Sequence, residues 1–333
     1  MHSDLIHPMK IAVSGSHGLI GSGVVFKLIE LGHHVIRLER SSTISTDRAQ
    51  SKSSPAIADH SSLSSAVWNP EEGLKDPEQL EGLDAVIHLA GKGIGDVRWT
   101  AQAKRELTRS RVGATERLAQ QLASLSQPPR AFVSASGVGI YGDRGATELE
   151  ESEPAGQHFL GQLAEQWEHA SHSLHASGTR ICFGRLGVVL TASGGALKKM
   201  LPIFRWGLGG RLGTGKQYWS WIGYEDAVSA FLWLALTPSC SGPYNLVAGA
   251  DTNCDFTRIL SGILDRPAIL PVPRFVLRIV MGEMADGLLL DSTRASGRKL
   301  TDSGFRLSQC DLETALQLQL DVQRGKNSAI LAD

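Results

Sequence analysis

The sequence predicts an α/β protein: a doubly wound parallel sheet with a smaller C-terminal α/β lobe. Three observations predict it. A strand-like run, a glycine turn, a helix-like run and a second strand follow one another from Lys10 to Leu38. Continuous apolar runs recur at Asp84–Leu89, Arg130–Ser134 and Thr179–Leu190, separated by stretches with helical spacing. After Thr191 this alternation gives way to a glycine-crowded segment and a mixed tail.

Taken in order, Lys10–Ser14 reads as a short buried strand, Gly15–Gly21 as a turn, Ile20–Leu31 as a helix and His34–Leu38 as the second strand. Ser41–Ala66 holds ten serines and few large apolar residues, so it is expected to be a mobile surface loop. Ala66–Trp68 resumes the strands. Thr100–Leu125 has helical apolar spacing through Leu107, Leu118 and Leu122, with Thr100 as N-cap. Phe159–His175 reads as a helix, as does Asp226–Leu236, where Asp226 serves as N-cap or N-terminal charge. Tyr244–Val247 is a further strand. In the tail, Phe256–Leu264 and Phe275–Val280 read as helices, Ala268–Pro273 as extended chain, and Met281–Leu290 as a core helix. Pro271, Pro273, Phe275 and Leu277 read as packing residues of the second lobe. The sheet domain is expected over 9–190 and 222–248 and the lobe over 191–221 and 249–325, with the ligand cleft between them at the strands' carboxyl ends.

The 333 residues include 33 basic and 34 acidic ones, a net charge of −1, and no basic excess that would advertise nucleic acid or an anionic membrane as partner. Cys182, Cys240, Cys254 and Cys310 are far apart, which indicates neither zinc nor a disulfide framework and fits a reducing cytoplasm. No apolar run reaches the length of a membrane span, and the start has no apolar signal segment.

The sharpest motif is Gly15-Ser16-His17-Gly18-Leu19-Ile20-Gly21. Gly15 permits a tight turn, Gly18 removes a side chain where backbone meets a pyrophosphate, and Gly21 lets the helix pack closely. The helix N-terminus then offers free amides and a positive dipole end to phosphates. This predicts a nicotinamide dinucleotide site. The second strand ends in Glu39-Arg40. An acid there suits the ribose hydroxyls of NAD(H), and an arginine suits the 2′-phosphate of NADP(H). If Glu39 faces away, Arg40 decides for NADP(H); a solvated charge pair at a strand end is the alternative reading.

At this point the chain resembles the atypical extended short-chain dehydrogenase/reductases. Within them it resembles the NAD-dependent epimerase/dehydratase family often labelled cell-division-inhibitor-like. The residues carrying the resemblance are the glycine turn, His88-Leu-Ala-Gly91, Arg98-Trp-Thr, Ser110-Arg111, Ser134-Ala-Ser136 before Tyr141-Gly-Asp143, Trp167-Glu168, Arg185-Leu-Gly-Val-Val-Leu190 and Trp221-Ile. The tail Arg266-Pro-Ala-Ile-Leu, Met281-Gly-Glu283 and Gly304-Phe305 resembles that family's C-terminal domain of unknown function. The resemblance implies an extended Rossmann domain and NADP(H) binding, with Ala90 and Gly91 lining the cofactor and Arg111 near its nicotinamide half. The family usually has Ser/Thr before the arginine, where this chain has Glu39, and a histidine where it has Gly223.

Short-chain reductases use a tyrosine and a lysine four residues later to hold and move a proton. None of Tyr141, Tyr218, Tyr224 and Tyr244 has a lysine at that spacing. Ser136 and Tyr141 are the candidate replacements, with Ser134 and Lys92 as weaker ones and strand-end or solvated roles as their alternatives. Arg185 reads as an anion anchor or a structural ion pair. His169, His172 and His175 read as a solvated helix face in preference to a metal site. Two functions stay open: an NADP(H)-dependent oxidoreductase or epimerase-like enzyme on a small molecule, and a catalytically silent NADP(H) sensor. A homodimer or a protein partner is left open.

Overall fold

In a computed structural model, the described residues are 7–40 and 62–330. The strands in chain order are β1 (Lys10–Ser14), β2 (His34–Glu39), β3 (Leu63–Asn69), β4 (Gly73–Leu74), β5 (Ala85–His88), β6 (Ala131–Gly137), β7 (Glu148–Leu149), β8 (Arg180–Leu186), β9 (Val188–Leu190), β10 (Tyr218–Gly223), β11 (Gly242–Leu246), β12 (Gly249–Thr252) and β13 (Arg294–Ala295). The central sheet has the order β11-β8-β6-β5-β1-β2-β3-β4 and is parallel except for the short β3–β4 pair. Its switch point lies between β1 and β5, where both chains leave for helices on opposite faces. This is the predicted doubly wound α/β sheet.

Helices α1 (Leu19–Glu30) and α6 (Tyr224–Leu236) cover one face, and their contact is close enough that a Cβ on Gly23 would meet the Tyr224 hydroxyl at 2.4 Å. The other face carries α2 (Ala101–Thr108), which passes through a π turn at Arg109–Gly113 into α3 (Ala114–Ala123). Thr100 caps α2, its hydroxyl accepting from the Ala103 amide, as the sequence predicts. α4 (Phe159–His169) ends earlier than expected: Ser171 and Ser177 donate back to Glu168 and Leu174 carbonyls, and a 3-10 turn over His172–Ser177 replaces the last turns. The His169 and His172 rings stack with centroids 5.2 Å apart, and His175 meets His172 edge-on at 5.3 Å. Among the described residues no group of three or more His, Cys, Asp or Glu is placed to hold a metal ion.

Two strand expectations are corrected. The serine-rich stretch lies outside the described residues over 41–61, but its end is strand: Leu63 to Val67 pair with Val35 to Glu39. Ladder bonds come from the backbone, so Ser64 needs no apolar side chain and stays exposed. The run predicted as one strand over Thr179–Leu190 is two strands in two sheets. At Gly187 a Cβ would come within 2.8 Å of the Ser220 carbonyl, and the chain there crosses from β8 to β9.

The lobe is built on the sheet β12-β10-β9, with α5 (Gly195–Arg205), α7 (Asn253–Leu264) and α11 (Leu312–Ile330; α10 is Arg298–Asp302) packed around Leu201, Trp219, Trp221, Phe256 and Leu316. Between α7 and α10 lie α8 (Arg274–Met281) and a one-turn α9 (Glu283–Ala285), parted by Gly282 at φ +64°, so Met281–Leu290 is not one continuous helix. α8 has no buried residue, and Pro271, Pro273 and Phe275 are exposed. Only Leu277 of the four expected packing residues is half-buried. Their apolar pattern is helical, but the helix lies on the outside. Among the described residues no helix is long and apolar enough to cross a membrane.

Of the two roles expected for Asp226 the structure gives the N-terminal charge; the N-cap is Gly223. Asp226 sits in the first turn of α6, behind Gly223, and is 3% exposed. Its carboxylate accepts from the Ser308 amide and hydroxyl and the Gln309 amide, tying the α10–α11 connection to the sheet domain. Asp226→Ala would leave the buried Gln309 amide and the half-buried Ser308 amide without their acceptor and is expected to lower the unfolding free energy by about 1–3 kcal/mol, read by denaturant titration. It should also open the chain near Ser308 to limited proteolysis.

Candidate functional site

β1 delivers the chain to Gly15 at φ +67°, and the turn closes with the Gly18 amide donating to the Gly15 carbonyl at 2.9 Å. The glycines differ in what they allow. A Cβ on Gly15 would meet Leu89 backbone at 2.8 Å, and one on Gly21 would meet the Gly15 carbonyl oxygen at 2.1 Å, so both are demanded by the fold. Gly18 has an ordinary φ of −73°, and its Cβ would touch only the Gly15 oxygen, at 3.1 Å. The fold does not need glycine there, whereas a side chain would project into the adjoining cavity. α1 has no side-chain cap, which leaves its first amides facing that cavity for an anion.

The cavity has a volume of about 890 Å³ and is lined by residues 15–18, 38–40, 68–71 and 89–92 with Glu106, Arg109 and Ser110. Of the residues singled out in the sequence, Gly15, Ser16, His17, Gly18, Arg40, Ala90 and Gly91 lie on its wall. Leu19, Ile20 and Gly21 do not: Leu19 packs on Gly194 at the start of α5, Ile20 on the core, and Gly21 on the turn itself. Trp68, Asn69, Pro70 and Glu71 at the end of β3, with Glu106 and Arg109, were missed. Their only signal is position after a strand's carboxyl end. Lys92 lines the wall and pairs with Glu106.

Arg111 belongs to the π turn. Its guanidinium lies over the Trp167 ring at 5.1 Å and directly under Gly91, where a Cβ would meet its Cζ at 3.3 Å. Burial pushes its pKa down to about 10, and its Nη1 is buried without a hydrogen-bond partner. An orphaned donor beside the cavity wall suits a phosphate or ribose oxygen of a dinucleotide.

Glu39 is oriented by neighbours the sequence did not reveal. Its side chain is 1% exposed, with Oε1 2.9 Å from Arg37 Nε and 3.5 Å from His17 Nε2. Arg40, beside it, is exposed on the cavity wall.

Under the turn lies a buried polar chain. The Leu89 and Ala90 amides donate to Ser14 Oγ at 3.2 and 3.4 Å, so the hydroxyl proton goes to His88 Nδ1 at 2.7 Å. His88 Nε2–H then donates to Thr115 Oγ1 at 3.0 Å, which also accepts from Trp167 Nε1 at 3.0 Å. Burial pushes the His88 pKa down to about 4, so the ring is neutral in this tautomer at pH 7.

The candidate acid–base residues lie in the framework. The Tyr141 side chain is fully buried, its hydroxyl donating to Asn245 and accepting from Arg185 at 2.9 Å, and burial raises its pKa. Ser136 is 5% exposed and donates to Glu168, and Ser134 donates to the Ala135 carbonyl. Arg185 grips both Glu168 oxygens at 2.8 Å, the structural ion-pair alternative. Phe159, Leu160 and Leu163, in the first turns of α4 where the tyrosine–lysine relay is expected, pack with Trp99, Met281, Met284 and Leu288 into an apolar cluster that joins the two lobes. Beside it His158 accepts from the Gly161 amide through Nδ1, and its Nε2 lies 3.6 Å from Asp291, whose pKa burial pushes up to about 6.

A model of the "NAD dependent epimerase/dehydratase family" matches residues 11–247, and one of a "domain of unknown function (DUF1731)" matches 272–318. The epimerase family protein Mb2239 of Mycobacterium bovis is 36% identical over 307 residues, covering 92% of this chain and 96% of that one. YfhF of Bacillus subtilis is 33% identical over 310 residues, covering 92% and 97%. The crystal structure of human epimerase family protein SDR39U1 (isoform 2) with NADPH superposes with a TM-score of 0.78 at 28% identity, covering 94% of this chain and 99% of that one.

The polar chain makes a pH prediction. A folded-state pKa below the free value means that His88 contributes its stability in full above pH 6.5 and loses it as pH falls toward 4. In thermal or denaturant unfolding, the native chain should be more stable than His88→Asn at pH 8. That advantage should shrink by about 3 kcal/mol on acidification to pH 4.

Proposed function

The chain belongs to the NAD dependent epimerase/dehydratase family, and on that premise we propose that it binds NADP(H) in the cavity above Gly18 and acts on a small molecule at the cleft. The observation that carries the reading is the state of Glu39. An unpaired acid at the end of β2 would repel a 2′-phosphate, but here Arg37 compensates it, and Arg40 stands beside it on the wall. The NADPH named with the human relative supports the same reading. Arg111 Nη1, the α1 amides and the glycine turn would hold the dinucleotide's phosphates and riboses. When bound, its nicotinamide supplies hydride chemistry. This chain's own part is to position it and exclude water, with the apolar cluster of Trp99, Phe159, Leu163 and Met284 closing the site from the lobe side.

A second reading, a sensor that binds NADP(H) without turnover, has one observation in its favour. The turns of α4 where a proton relay would start are apolar, while the Ser136 and Tyr141 hydroxyls are committed to Glu168 and Asn245. Consumption of NADPH with a panel of carbonyls and nucleotide sugars separates the two: turnover establishes the enzyme, and binding without turnover the sensor.

Fluorescence titration with both dinucleotides tests the binding itself. NADPH is expected to saturate the native chain more tightly than NADH. Arg40→Ala should weaken NADPH by roughly 10- to 100-fold, the value of a charge-assisted phosphate contact, and change NADH by less than about threefold. Arg37→Gln should free Glu39 and turn the preference toward NADH. Gly18→Val should remove both. Equal affinity for the two cofactors in the native chain would defeat the assignment.

A further inference from the structure

Twelve large apolar side chains are exposed in the described chain, and eight of them fall in two short segments of the lobe, 203–208 and 269–280. Trp206 is 81% exposed, Ile269 80%, Ile279 69%, Val280 68%, Phe275 64% and Leu208 59%. The segments run side by side. Val272 donates to the Arg211 carbonyl, Gly213 donates back to Val272, Gly207 packs on Pro267, and Gly210 meets the Leu270 backbone. The result is one apolar face with turn tips at one end and the outer side of α8 at the other. Monomeric proteins seldom leave so many large apolar groups together in water.

The charge around this face is as uneven. Residues 195–217 hold five lysines and arginines and no acid, and residues 265–282 hold three arginines and Asp265; Lys199 is paired with Asp96 and Arg278 with Asp286, so the excess rests on the others, Arg211, Arg266 and Arg274 among them. The whole chain, by contrast, has a net charge of −1. Arg211, Arg266 and Arg274 are all exposed along the seam. The exposed tips line neither the cavity at the glycine turn nor the smaller one beside Val247 and Arg298. A two-fold contact between copies would set its positive charge against itself.

From this pairing of protruding aromatic and aliphatic tips with unbalanced basic charge, we propose that the outer face of the C-terminal lobe docks on an anionic phospholipid surface. The tips enter the headgroup layer and the arginines face the lipid charge, as interfacial helices and loops do. The whole-chain charge balance that argues against a membrane partner averages this local excess away. Docking would set α8, whose Met281 end packs into the cluster joining the lobes, between the bilayer and the cleft.

Flotation of the full chain with vesicles tests this, using phosphatidylcholine alone and phosphatidylcholine with about one-third phosphatidylglycerol. The native chain should float with the anionic vesicles, far less with the neutral ones, and less again at high salt. The triple variant Trp206→Ser, Ile269→Ser, Phe275→Ser and the double variant Arg211→Glu, Arg274→Glu should each lose at least about tenfold in partitioning. Because all five side chains are exposed, unfolding midpoints should match the native one and show that the loss is not misfolding. The proposal is overturned if the native chain stays off anionic vesicles, or if the triple variant floats like it. It is overturned equally if the native chain is a dimer that the triple variant dissolves, which would assign the face to a second copy. Capture of an acidic protein without vesicle binding would assign it to that protein.

Discussion

The contact on which the site depends is backbone against backbone. The Gly15 carbonyl lies where a Cβ on Gly21 would be 2.1 Å away, and the Gly15 Cα faces the Leu89–Ala90 peptide at a distance that leaves no room for a methyl group. Three segments remote in sequence — the end of β1, the start of α1 and the end of β5 — therefore meet without a side chain between them. That closeness aims the α1 amides at the cavity and leaves the Gly18 face open. It also sets Ser14 under the Leu89 and Ala90 amides, from which the chain through His88, Thr115 and Trp167 is built. Every member of that chain has a partner, so a neutral histidine in the core does not carry the usual penalty of a buried polar group.

The other half of the site is organised by charge taken out of water. Arg185 is held by Glu168, Tyr141 and the Glu151 carbonyl, and Glu168 also accepts a hydrogen bond from the Ser136 hydroxyl. A network of this kind costs desolvation and returns a fixed geometry at the ends of β6 and β8. It also engages the Ser136 and Tyr141 hydroxyls in hydrogen bonds within the framework. Across the cleft, the lobes meet through the cluster of Trp99, Leu163 and Met284, edged by the Lys104–Glu283 and Lys199–Asp96 pairs. The apolar part supplies the holding energy, because exposed pairs at such a rim contribute little.

Much of this was legible in the sequence wherever short-range chemistry decides. The strand–glycine–helix order marked the glycine turn, and Thr100 marked the start of α2. Failures and omissions came where a local pattern had two global outcomes. The apolar spacing of Phe275 and Leu277 is the same whether α8 is covered or bare. Asp226 sits near a helix start either way, and only the fold brings Ser308 and Gln309 onto its carboxylate. An apolar run through Gly187 does not announce that the chain changes sheets there.

By itself, the sequence determined the sheet, its glycine turn and the chemical character of the first helix, because backbone sterics, hydrophobic periodicity and capping act within a few residues. Tertiary structure alone decided what the charged and apolar groups face. It placed Arg37 and His17 on Glu39, left Arg111 with a free buried donor, folded Tyr141 inward and α8 outward. Electrostatic and solvation energies depend on distance and burial in space, and neither is fixed by separation along the chain.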